Sequence, residues 1–152
     1  MALDESSKSS LLKAKLLNMS FLVAILIYMI ILAYWISLDS TSESLLEGEI
    51  LAMLTAVLAV LSIACILCGN YIARLAIRKS RNPSNILFTH TIRISFFQAV
   101  AIFGLILGLI DGSMVSWAFT LPFLLAAAVA LVLTFPTEEK WERMLQQTET
   151  HL

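Results

Sequence analysis

A chain of 152 residues in which 59% are hydrophobic and only 14% charged, with a mean hydropathy of +0.88, carries more apolar surface than one soluble core of that size encloses. The composition excludes a soluble enzyme or a nucleic-acid-binding module and points to an all-α, polytopic membrane protein, a bundle of four transmembrane helices that uses lipid as its solvent. The net charge of −1 decides nothing by itself, because the side on which each charge sits is what orients such a chain.

In chain order, residues 1–10 are small and polar without apolar periodicity and are expected to be loosely ordered. Residues 16–38 then supply a first span of the ~20 residues a crossing helix needs, with Tyr34 and Trp35 near its far end as interfacial aromatics. Lys8, Lys13 and Lys15 precede it like a signal-peptide n-region, but the apolar run is too long and no cleavage site follows, so it is expected to stay as an anchor. An acidic connection, residues 39–49, leads to a second span at 50–73, whose periodicity continues through Asn70, Arg74 and Arg78 on one face. Pro83 restarts the chain, with Ser84 as the expected N-cap, and the third span covers 88–110. Asp111-Gly112-Ser113 reads as a tight turn into a fourth span at 115–135, with Pro122 in its first turns. Residues 137–147 place Trp141, Met144 and Leu145 on one side of a short amphipathic helix, expected to lie in the membrane interface. The whole chain, residues 1–152, is expected to form a single membrane domain.

All ten Lys and Arg fall on one side: in the N-terminal segment, in the connection between spans two and three and the first turns of span three (Arg93), or in the C-terminal tail. The other two connections hold Asp39, Glu43, Glu47, Glu49 and Asp111 and nothing basic. Under the positive-inside rule this predicts a cell-membrane protein with both termini in the cytoplasm.

Three groups of residues merit attention as sites. Arg74, Arg78, Lys79, Arg81, His90 and Arg93 form a basic cluster suited to anionic lipid head groups or a partner, and equally to setting topology; an anionic substrate or nucleotide is the sharper alternative. Gln98, about 7.5 Å along the helix from Arg93 at 1.5 Å per residue, is an amide within an apolar span that must find a partner, and Ser95 joins it as an intramembrane polar contact. Gly104, Gly108 and Gly112 recur every four residues as a helix-packing seam, expected to face helix four at Ala126, Ala127 and Ala130, with Leu107 on another face. Cys65 and Cys68 have a spacing used by metals and redox pairs, but a zinc site wants four ligands and the chain offers only His90 and His151 besides. No metal site, cofactor or catalytic carboxylate pair is expected, since no Asp or Glu lies within a span.

The string Gln98-Ala99-Val100-Ala101-Ile102-Phe103-Gly104-Leu105-Ile106-Leu107 resembles the ion-carrying helix of the rotary ATPase proteolipids, the c-type subunits, which reads Glu-Ala-Leu-Ala-Ile-Tyr-Gly-Leu-Val-Val. Small bacterial four-helix membrane proteins with such a third helix and a Phe-Pro-Thr ending like Phe135-Pro136-Thr137 are similar as well. The family's proton- or sodium-carrying carboxylate is replaced here by Gln98, which cannot bind and release a proton, so the resemblance implies the proteolipid shape without its ion transport. The expected role is non-catalytic: an assembly or accessory subunit held by a membrane-protein partner or by copies of itself. Two other classes compete. A membrane transferase of the four-helix glutathione-transferase type would need the Arg-Ala-His-x-Asn pattern, for which Asn70 and Arg74 are a poor substitute, and a small transporter or channel subunit would need an intramembrane charge.

Overall fold

The computed structural model describes residues 4–38, 48–79, 83–111 and 116–147. Five helices follow one another: α1 (Glu5–Leu38), α2 (Gly48–Lys79), α3 (Pro83–Asp111), α4 (Ser116–Leu133) and α5 (Glu138–Gln147). No strand occurs among the described residues, so the chain is all-α there. Helices α1, α2 and α3 are each long and apolar enough to cross a membrane, and a fourth such element results if α4 is joined to α5 across a 69° bend.

Residues 5–10, expected to be loosely ordered, are helical, and residues 1–3 lie outside the described residues. Asp4 caps α1: its carboxylate accepts the Ser7 backbone N–H at 2.8 Å, and its carbonyl accepts the Lys8 N–H at 3.0 Å. Hydrogen bonds from the Ser7 side chain and backbone hold the Asp4 carboxyl below its ordinary pKa. Helix α1 therefore begins well before its apolar stretch, and its buried residues Ser7, Leu11, Ala14, Asn18, Ile25, Leu32 and Ile36 follow the seven-residue repeat of helices packed side by side. At α3 the helix includes Pro83, whose fixed φ and missing N–H suit a first turn; Ser84 is inside the helix rather than its cap.

Helix α3 is the centre of the molecule. Of its most apolar stretch 44% is buried, against 17% in α1 and 11% in α2, because two stripes of it are covered. Ile94, Phe97, Val100, Ala101 and Leu107 join Ile25 and Leu32 of α1, Leu51 of α2 and Phe123, Leu124, Ala127 and Leu131 of α4 in one apolar core. The glycines meet more than helix four. A β-carbon built on Gly104 would stand 2.9 Å from Phe123 Cβ and 3.2 Å from the Thr120 carbonyl oxygen, whereas one on Gly108 would stand 2.6 Å from Leu32 Cδ2 and 3.0 Å from Thr120 Oγ1. The seam thus faces Thr120 and Phe123 of α4 together with Leu32 of α1, while Ala126 is exposed. Leu107, expected on an indifferent face, is fully buried, because α3 is enclosed from two sides. Gly112, like the expected turn at 111–113, lies outside the described residues.

Helix α5 packs its apolar face against the ends of α1 and α3. Pro136 has no N–H to donate and pushes Phe135 away from helical backbone, so α4 ends. The last turn closes with Thr134 N–H to the Ala130 carbonyl at 3.1 Å and Phe135 N–H to Val132 at 3.1 Å. Lys140 folds back over the corner and donates to the Leu133 carbonyl at 2.9 Å, satisfying an acceptor at the negative end of α4. Thr137 caps α5 through Oγ1 to the Lys140 N–H at 3.3 Å. The bend turns Trp141 onto protein: it is completely buried with Leu11 and Ala14 of α1 and Ile86 of α3, and Leu87, Met144 and Leu145 pack around them. Lys15 approaches Glu138 at 3.8 Å, an exposed pair that adds little.

Two expectations follow. Gly104→Ala should lower the unfolding free energy by about 1–3 kcal/mol despite the ~1 kcal/mol gain in helix propensity, since the Thr120 backbone cannot move aside easily. Gly48→Ala, where a β-carbon meets nothing within 4 Å, should leave it unchanged; equal melting temperatures for both variants would contradict the packing described. Trp141→Ala should cost about 3 kcal/mol, while Trp141→Phe, which keeps the packing and removes an indole N–H that has no partner, should cost under ~1.5 kcal/mol. Denaturant titration in detergent reads both.

Candidate functional site

The Gln98 amide is 7% exposed and its Nε2 donates to the Tyr28 hydroxyl of α1 at 3.0 Å. The contact joins the middle of α1 to the middle of α3. Gln98 Oε1 is buried without a partner, as are both amide atoms of Asn18 and the hydroxyls of Thr89 and Thr120. Ser95 is separated from Gln98: it is exposed, and its hydroxyl donates to the Thr91 carbonyl of its own helix at 2.9 Å. Tyr28 was missing from the sequence reading, although a tyrosine so far from either end of its span carries a hydroxyl that must be satisfied.

The basic cluster divides. Arg74 of α2 and Arg93 of α3 line one opening of about 630 Å³ together with Leu67, Cys68, Asn70 and Tyr71. The two guanidiniums are near enough to repel one another, and neither forms an ion pair with a carboxylate among the described residues, where the salt bridges are Lys15–Glu138 and Arg143–Glu139. Arg93 rests over the Phe97 ring, 5.8 Å from its centroid, a cation–π contact that holds the head group in place. Its Nε, and Asn70 Oδ1 across from it, are buried and unpartnered. His90 is turned into the protein, 6% exposed, with Nε2 also unpartnered, and so is not presented with the arginines. Arg81 lies outside the described residues, as do the side chains of Arg78 and Lys79. Cys65 is half-buried and Cys68 exposed, both as free thiols, and no cluster of three metal-binding side chains occurs among the described residues.

Chemically, the opening offers two cations, an amide and a phenol around a cleft with apolar walls, which suits an anion with a hydrocarbon body. It holds no nucleophile paired with a base.

The Gln98–Tyr28 contact predicts a particular double-mutant cycle. Tyr28→Phe should destabilise by about 0.6 kcal/mol, at most ~2. In a Gln98→Leu background, where the amide and its unpartnered oxygen are both gone, the same Tyr28→Phe change should cost nothing further. Additive losses in reversible SDS unfolding would show that the two side chains do not act as a pair.

No protein family, no curated protein and no solved structure matches the chain, so its functional reading rests on this pair of arginines, this buried amide and the helices that carry them.

Proposed function

We propose that the chain is an integral membrane bundle of four spans with both termini in the cytoplasm, and that it serves as a non-catalytic assembly or accessory subunit of a larger membrane complex. The observation that carries this reading is the surface of α1 and α2. Only 17% and 11% of their apolar stretches are buried within the chain, and side chains such as Ile30, Met53, Val60 and Ile63 are 60–71% exposed. In water such a surface would associate without specificity; in a bilayer it is solvated, with room for a partner helix or a second copy of the chain. The one-sided distribution of basic residues supports the orientation. The engagement of Gln98 by Tyr28 supports a structural over a transporting role, because an amide tied to its own bundle carries no ion. The proteolipid likeness of α3 belongs to the same proposal, as a likeness of helix surface.

Single cysteines in a background lacking Cys65 and Cys68 test the orientation. A cysteine at Gly48 should react with an impermeant maleimide added to intact cells, and cysteines at Ser9 or Glu139 should react only after lysis. The reverse pattern, or labelling of all three from outside, would overturn it. The subunit role is tested by purification from native membranes in mild detergent: a second chain at fixed stoichiometry is expected, whereas a monomer free of other chains would refute the proposal.

A further inference from the structure

An apolar groove of about 340 Å³ runs between α2 and α4 over α3, walled by Ala59 and Ile66, by Val100, and by Phe119, Pro122 and Ala126. Its two hydroxyl-bearing lining residues are withdrawn from it: Thr55 Oγ1 donates to the Leu51 carbonyl at 2.7 Å and Ser62 Oγ to Leu58 at 2.7 Å. What remains is a wall of methyl, methylene and aromatic carbon.

This groove and the arginine opening share one face. On α2, Ile66 of the groove and Asn70 of the opening are four residues apart, one turn or ~6 Å; on α3, Val100 and Arg93 are seven apart, two turns or ~10 Å, and so lie one above the other. The arginines therefore stand at the inner mouth of the apolar groove. From Arg74 to the level of Ile63 is ~16 Å along α2, which is one leaflet's share of a hydrocarbon core ~30 Å thick.

We propose that this face is a binding site for one anionic glycerophospholipid of the inner leaflet. Its phosphate is held by Arg74 and Arg93, and one acyl chain is laid along the groove toward Ile66 and Val100. The charge complementarity is specific. Two guanidiniums that repel each other with no carboxylate between them among the described residues are relieved by a phosphodiester, which accepts from both. Arg93 and Asn70 both line the opening, and each carries a buried polar atom without a partner, Nε and Oδ1, so neither side chain is fully satisfied within the protein. Tyr71, 64% exposed, stands at the rim, where its ring meets lipid and its hydroxyl reaches the head group. The arginines themselves sit where a phosphate would: α2 continues to Lys79 and α3 begins at Pro83, so both helices project past the Arg74–Arg93 level on the charged side.

The inference rests on the membrane reading above, and maleimide labelling tests that reading without touching Arg74, Arg93 or the groove. Loss of lipid selectivity with intact labelling would therefore sink this inference alone. The experiment is native mass spectrometry of detergent-purified protein after exchange with phosphatidylglycerol or phosphatidylcholine of identical chains. Two basic groups at an anionic head favour it by roughly thirtyfold over a neutral one, so one phosphatidylglycerol should persist per chain at collision energies that strip phosphatidylcholine. Arg74→Gln, at an exposed position, should remove most of this preference, and Arg74→Gln with Arg93→Gln all of it. Ala126→Phe, which fills the groove from its lipid-exposed edge, should weaken retention of both lipids while melting temperature in lipid-free detergent stays the same. Equal retention of the two lipids by the unaltered protein, or unchanged selectivity in Arg74→Gln, would overturn the site. Full displacement of the lipid by millimolar inorganic phosphate would also overturn it, as a site for the free anion rather than for a lipid.

Discussion

Helices α1, α2 and α4 each reach α3 across a glycine. Helix α2 brings Gly69 against Phe96, with a β-carbon there only 3.0 Å from Phe96 Cβ; α4 brings Phe123 and the Thr120 carbonyl against Gly104; α1 brings Leu32 against Gly108. In a bilayer, lipid tails are as apolar as leucine, so helices gain nothing from leaving lipid for one another and must adhere through close packing and a few hydrogen bonds. A missing side chain is what allows backbones to approach until dispersion contacts are dense. In lipid a bundle of this kind would be held by these three places of close approach to α1, α2 and α4, and the large exposed aliphatic surface of α1 and α2 would contribute to solvation rather than cohesion.

The end of the molecule that carries α5 is held differently. Trp141, Leu11, Ala14 and Ile86 form a cluster of their own, flanked by Lys15, Glu138 and Arg143. Where water reaches such a cluster the hydrophobic effect operates at full strength, and burying one indole there would be worth more than burying a leucine between two helices in lipid. The corner that makes this possible depends on Pro136, Thr137 and Lys140 acting together: the proline ends α4, the threonine starts α5, and the lysine satisfies the carbonyls the proline leaves behind. Its consequence is that Trp141 of α5 is buried against Leu11 and Ala14 of α1 and Ile86 of α3.

Apolar runs with the length of a span are legible without coordinates, because length and hydropathy are properties of a segment alone, and the helices at 5–38, 48–79, 83–111 and 116–133 coincide with them to within a turn or two at most ends. Rotation about the helix axis was less legible. Leu107 was set aside because a seam through Gly104 and Gly108 was thought to have one partner, and a helix with two partners buries the adjoining stripe as well. Helix α1 was begun too late because capping by Asp4 is a local signal that apolar periodicity does not register. Amphipathicity of the tail states that one face must be covered and not by what; Leu11, Ala14 and Ile86 cover Trp141. Of the site, the basic residues were evident, but which of them share an opening depends on the α2–α3 pairing; Arg74 and Arg93 line a common cleft, whereas His90, three residues from Arg93, is buried and is not part of its lining. Tyr28 as the partner of Gln98 needed the register of two helices 70 residues apart in sequence.

The distribution of polarity between inside and outside is compatible with the membrane reading. Among the described residues the buried polar side chains are Ser7, Asn18, Ser62, Thr89, His90, Gln98 and Thr120, while Leu26, Ile30, Val57, Val60, Leu67, Val132 and Leu133 are among the exposed ones. A soluble bundle arranges these the other way, because water solvates an amide better than a protein interior does and rejects a leucine. In lipid the preference reverses: an amide or imidazole is better placed against other helices than against acyl chains, and an aliphatic side chain loses nothing by facing out. Gln98 shows what this arrangement provides. Its bond to Tyr28 is weak as stabilisation, yet shifting α1 against α3 by one turn, about 5.4 Å, would leave a buried amide donor facing hydrocarbon, which costs more than the bond contributes. Close packing at the glycines makes the helices adhere, and the amide determines the register in which they do so.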